Sequence, residues 1–122
     1  DDALPALDFL AAKYPMVALS NGNADIQKVG LSHYFKAAFN PISLGVGKPD
    51  PKMFHAGAQA LGVLPEEVMH IGDDPHLDVL ASQRAGLQAV WVNREEKLWA
   101  HDVHPAPYTV ISLRELCDSW PL

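Results

Sequence analysis

Short apolar runs at residues 16–19, 68–71 and 89–92 each stop abruptly at polar or turn residues, and helical patterns alternate with them. Runs of this length predict buried strands, and their alternation with helices predicts βα units around a parallel sheet. Leu4, Leu7, Leu10, Ala11 and Tyr14 recur at helical spacing and predict a helix over residues 3–14. A shorter helical pattern covers residues 24–29 and leads to Gly30, while residues 37–44 hold a weak strand interrupted by Pro41. Asp50-Pro51 is a helix start, with Asp at the cap and Pro in the first helical position. That helix carries Phe54, Ala58 and Leu61 inward and stops at Gly62. Another opens at Pro75 and ends at Gly86, and Ser112 with Glu115 forms a capping box for a last helix holding Leu113, Leu116 and Cys117. Residues 93–107 read as a long polar connection.

Composition narrows the function classes. A chain of 122 residues suffices for one domain with a core, and 48% hydrophobic with 20% charged residues argues against disorder. A net charge of −6 without a basic stripe argues against nucleic acid as partner. Cys117 is the single cysteine, expected as a buried structural thiol, and no run reaches membrane-spanning length. A cytoplasmic protein that binds neither nucleic acid nor membrane is expected.

Candidate chemistry gathers where the apolar runs end. Residues 68–71 lead directly into Gly72-Asp73-Asp74, with Asp78 beyond on the next helix. Ligands bind where parallel strands end, and two adjacent carboxylates there repel unless a cation lies between them. Clustered hard oxygens suit Mg²⁺; a helix cap is the plainer role for either aspartate. Ser20-Asn21-Gly22 follows the first run, where a hydroxyl and nearby backbone N–H groups can hold a phosphate. A polar turn is the plainer role there. Lys48 sits in Gly45-Val46-Gly47-Lys48-Pro49-Asp50, a constrained loop from which it can neutralise a phosphate or pair with Asp73 or Asp74. Taken alone, it is an ordinary turn lysine. The loop lacks the spacing of a Walker P-loop.

In this order, strand-Ser-Asn-Gly, Gly-Lys-Pro and strand-Gly-Asp-Asp resemble the second, third and fourth motifs of the haloacid dehalogenase (HAD) superfamily, phosphatase branch. The resemblance runs over residues 3–92. It implies a Rossmann-like core, a parallel sheet in a three-layer α/β/α arrangement. It also implies a Mg²⁺-dependent phosphatase acting on a small phosphorylated metabolite through an aspartyl-phosphate. By the same resemblance, Ser20 hydrogen-bonds the phosphoryl oxygens with Asn21 and Gly22 in the same loop. Lys48 offsets negative charge, Asp73 ligates Mg²⁺ with Asp74 close by as a ligand or through water, and Asp78 supports Lys48 or the loop. Such a division suits phosphoryl transfer, which depends on positioning and charge neutralisation. Asp73-Asp74 separates the chain from true haloacid dehalogenases, which need no metal and resemble Ser-Ser-Asn there.

One departure stands out. The family's first motif, Asp-x-Asp, carries the nucleophile, and no Asp-x-Asp occurs in this sequence. Residues 1–122 are therefore expected to be the C-terminal portion of a HAD-like core, inactive alone, without the central nucleophile strand or the cap that selects substrate. That strand belongs between those predicted at 16–19 and 68–71. Three remedies are expected for the exposed edges: an N-terminal segment of the same protein, another chain, or direct closure of the gap. A non-catalytic phosphate-binding or oligomerisation module is the alternative, though it leaves the co-occurrence of Ser20, Lys48 and Asp73 without a reason. A phospho-receiver domain fits poorly, because its acidic pair follows the first strand. His101 and His104 read as surface residues and His70 as a hydrogen-bonded core histidine. Trp91, Trp99 and Trp120 are expected to pack the domain or cover its missing-strand face.

Overall fold

The computed structural model describes residues 2–20, 32–99 and 107–121. Asn21, Gly22, the helical pattern at 24–29, His101 and His104 lie outside the described residues. Helix α1 (Ala3–Ala11) leads to β1 (Val17–Leu19), and a 3-10 turn (Ser32–Tyr34) precedes β2 (Ala37–Phe39) and the short α2 (Pro41–Leu44). Next come α3 (Pro51–Leu61), β3 (Met69–Gly72) and a π-helical turn (Pro75–Leu80) that runs into α4 (Ala81–Arg84). β4 (Gln88–Val92), β5 (Tyr108–Val110) and α5 (Leu113–Asp118) complete the order.

Every strand pair is parallel, as the βα alternation requires. β1 pairs with β2, β3 with β4 and β4 with β5. Side chains of β3 and β4 alternate between two apolar layers. Met69, Ile71, Val90 and Val92 pack with Leu10 of α1 and Leu116 of α5. On the opposite face Phe54 of α3 packs with Ala81, Ala85 and Leu87, against Leu19 and Val68. The molecule is thus a three-layer α/β/α unit of the Rossmann-like kind.

Among the described residues the strands form two groups, β2-β1 and β3-β4-β5, with no hydrogen-bonded strand joining β1 to β3. Direct closure of the gap, one of the three expected remedies, is not what the chain adopts. Helix α3 lies beneath both open edges: an added Cβ at Gly57 would meet Leu19 and Val17 of β1, while Phe54 stacks edge-on against His70 of β3. Positions 54 and 57 are neighbours on one helical face. Every residue of β1 and β3 remains only partly buried, whereas Val90, Trp91 and Val92 of β4 are buried. A strand with partners on both sides and helices above and below is buried throughout, so these half-covered strands mark the open edges.

Several sequence expectations are refined. The first helix ends at Ala11, and its buried residues are Ala6 and Leu10, while Leu4 and Tyr14 are about half exposed at 52% and 48%. Tyr14 lies beyond the helix and meets Trp120 edge-on, which removes it from the helical face. Helix α3 turns Met53, Phe54 and Ala58 inward, with Leu61 only partly covered at its end. Asp50 caps it by accepting from Lys52 N at 2.9 Å, and Gly62, at φ +73°, ends it in a left-handed conformation that suits glycine. Ser112 caps α5 through Glu115 N at 3.0 Å. Cys117 is only partly covered, and burial raises its thiol pKa. Strand β5 was not foreseen; its Val110 is 1% exposed and inserts beside Val90 and Val92. No helix among the described residues is long and apolar enough to cross a membrane.

Candidate active site

Asp78 is the hub of the site. It is 5% exposed on the π-helical turn after β3. Its Oδ1 accepts from Lys48 Nζ at 2.5 Å and from His70 Nε2 at 3.1 Å, while Oδ2 accepts from Asp74 N at 3.2 Å. Burial opposes ionisation of this carboxyl. The hydrogen bonds from His70 and Lys48, with the charge of Lys48, outweigh burial and hold it well below the usual carboxylate range. Lys48 comes from the loop between α2 and α3, so one buried carboxylate joins that loop, strand β3 and the acidic loop after it.

Gly72 makes this convergence possible. It lies on the same face of β3 as His70, and a Cβ there would come within 2.4 Å of Asp78 Cβ and Cγ. Its backbone φ is not left-handed, so close approach is what requires a glycine at this position.

The two adjacent aspartates have different surroundings. Asp74 caps the helical turn, its Oδ1 accepting from His76 N at 2.9 Å and Leu77 N at 2.7 Å. Asp73 is exposed at the tip of β3, and its backbone carbonyl accepts from Trp91 Nε1 at 3.1 Å. Asp73, Pro75, Trp91, Asn93, Arg94 and Lys97 line a shallow cavity at the ends of β3 and β4. Among the described residues no group of three or more His, Cys, Asp or Glu gathers to hold a metal. Mg²⁺ is nonetheless commonly held by one or two carboxylates with water and phosphate oxygens. The exposed Asp73 carboxylate and the Oδ2 of Asp74 fit that chemistry.

Ser20 follows β1 as Asp73 follows β3, and its N–H donates to Phe39 O at 3.1 Å, extending the β1–β2 pairing by one residue. The structure therefore brings Lys48, Asp74 and Asp78 together, places Asp73 at the adjoining tip and sets Ser20 at the end of β1. His70, read from the sequence as a hydrogen-bonded core residue, is bonded to Asp78, with Phe54 edge-on at 5.1 Å. Trp91 stacks edge-on with Trp99 and braces the Asp73 loop. In the parallel register Trp91 pairs with Gly72, so its neighbourhood adjoins the acidic tip, a placement that strand pairing supplies and residue pattern does not. Arg94 pairs with Asp2, whose Oδ2 also accepts from Leu113 N and Arg114 N at the start of α5.

A parallel α/β/α layer with a lysine and paired carboxylates at its strand ends defines a class, and comparison with known proteins gives the family. The family model for haloacid dehalogenase-like hydrolases matches residues 1–86. The chain is 40% identical over 84 residues to phosphoserine phosphatase of Thermus thermophilus, covering 65% of this chain and 34% of that protein. It is 40% identical over 86 residues to the 5-amino-6-(5-phospho-D-ribitylamino)uracil phosphatase YigB of Escherichia coli, covering 70% and 36%. The crystal structure of a 2-haloacid dehalogenase from Pseudomonas syringae pv. Tomato DC3000 superposes with a TM-score of 0.89 at 34% identity, over 96% of this chain and 50% of that one. This chain belongs to the haloacid dehalogenase-like hydrolases. It spans about a third of the length of the two phosphatases.

Proposed function

We propose that this chain supplies the phosphate-handling and Mg²⁺-binding half of a cytoplasmic phosphoric monoester hydrolase acting on a small phosphorylated metabolite. The observation that carries the reading is the pair between Lys48 and the buried Asp78, bonded to the backbone of an acidic loop at the carboxyl end of β3. An ammonium held there offsets the charge of an anionic ester, and the Ser20 hydroxyl with the Asn21–Gly22 loop donates to phosphoryl oxygens. Asp73 and Asp74 would hold the metal, which when bound polarises the phosphoryl group. Asp78 holds Lys48 in place. A carboxylate nucleophile that forms the aspartyl-phosphate enters with a strand seated between β1 and β3, supplied by an N-terminal segment of the same protein or by another chain. Phosphatase relatives and the Asp73-Asp74 pair support phosphate over halide chemistry, although a dehalogenase is among the similar structures.

The test is orthophosphate release from p-nitrophenyl phosphate and chloride release from 2-chloropropionate, with Mg²⁺ or EDTA. Assays use the 122-residue chain alone and mixed with a segment carrying Asp-x-Asp. Phosphate release only in the mixture with Mg²⁺ is expected. Chloride release without phosphate release would replace the phosphatase reading. Hydrolysis by the chain alone that survives Ser20→Ala combined with Lys48→Ala would overturn the assigned roles.

A further inference from the structure

We propose that His70 is a positioning residue for Lys48, acting through the Asp78 oxygen that both side chains share. The inference rests on the phosphate-handling reading of Lys48. Ionised Asp78 only accepts hydrogen bonds, so His70 must bring the proton on Nε2. Oδ1 then receives one donor from a cation and one from a ring, at 2.5 and 3.1 Å, and Oδ2 is held by Asp74 N at 3.2 Å. With these three donors the carboxylate is held in one orientation, and the ammonium it holds is fixed with it.

The imidazole is itself held. Phe54, fully buried on α3, meets the ring edge-on with planes at 82°, and the strand backbone fixes its root. His70 therefore carries the rigidity of the α3 core to a lysine on a separate loop. A leucine at position 70 would keep the apolar packing but leave Oδ1 to Lys48 alone. The ammonium would then be drawn more fully onto Asp78, leaving less of its charge for an incoming phosphate. A glutamine amide, whose nitrogen reaches about as far as Nε2, keeps the donor.

The experiment has two parts. In the unaltered chain, ¹⁵N NMR of the His70 ring should show Nε2 protonated and Nδ1 bare in the neutral form; the opposite tautomer overturns the proposal. Calorimetric titration with orthophosphate in Mg²⁺ should then show about tenfold weaker binding for His70→Leu and recovery to within about threefold for His70→Gln. Lys48→Ala separates the two levels of inference. If it leaves phosphate affinity unchanged, the phosphate reading itself fails. If it weakens binding while folded His70→Leu does not, only the role of His70 fails. Should His70→Leu not fold, the tautomer and a loss of binding in His70→Gln each remain able to refute the assignment.

Discussion

Replacing Gly72 by alanine tests the packing that builds the site. The added Cβ would stand 2.4 Å from Asp78 Cβ and Cγ and 2.7 Å from Oδ2. Carbon atoms rest at about 3.5–4.0 Å, so the shortfall exceeds ~1 Å. Because Asp78 Cβ is fixed by the backbone of the π-helical turn, a rotamer change cannot relieve the overlap. The turn must move from β3 and stretch the bonds to Lys48, His70 and Asp74 N. Overpacking alone costs about 1–3 kcal/mol, and breaking a buried ion pair about 3–5 kcal/mol. One displacement causes both, so they do not add, and a loss of about 3–5 kcal/mol is expected. That is a large part of the ~5–15 kcal/mol that holds a typical domain together. Urea unfolding followed by circular dichroism should show a lower midpoint at unchanged slope. In an Asp78→Gly background the obstacle is gone, and the same alanine should cost under about 1 kcal/mol. A loss below ~0.5 kcal/mol in the otherwise unaltered chain would refute the close-approach argument.

Three further outcomes are expected. Asp74→Ala should cost about 1–2 kcal/mol because it removes a helix cap, whereas Asp73→Asn should stay within about 0.5 kcal/mol; both should diminish any thermal stabilisation by Mg²⁺, which a melting series with and without EDTA reads directly. Trp91→Phe should lose about 1 kcal/mol by leaving the Asp73 carbonyl without its donor, and an unchanged urea midpoint would contradict the brace. The hydrogen bond from Arg94, helped by the N–H groups at the start of α5, lowers the Asp2 pKa from 3.8 to about 2. A depressed carboxyl stabilises the fold fully above its unfolded pKa and loses that contribution as pH falls toward and through the folded one. The difference between the parent chain and Asp2→Asn should therefore be constant above about pH 5 and shrink toward pH 2, and a difference that grows on acidification would reverse the sign.

Local chemistry made much of this legible beforehand. Pro51 after Asp50, Gly62 and Ser112 mark their helix ends through rules that act within a few residues. The apolar runs became β1, β3 and β4 because burial on two faces of a parallel sheet leaves a continuous apolar signature. β5 escaped notice because only Val110 of its three residues is buried. The helical period predicts a first helix that is too long and on a shifted face, since Leu4 and Tyr14 satisfy the period yet stay half exposed, Tyr14 beyond the helix against Trp120.

The sequence by itself picked out Ser20 and Asp73 directly after apolar strands, Lys48 in a constrained loop and Asp78 on the turn that follows β3. Residue type and local order suffice for that. Only the tertiary structure decided that Lys48 meets Asp78, that His70 shares the same oxygen and that Gly72 leaves room for them. These partners lie 30 and 8 residues apart along the chain. No local propensity encodes such a meeting; the packing of α3 and the π-helical turn against one face of β3 does. The division of the adjacent aspartates, one capping a helix and one exposed at the strand tip, has the same origin: the direction in which the chain leaves β3.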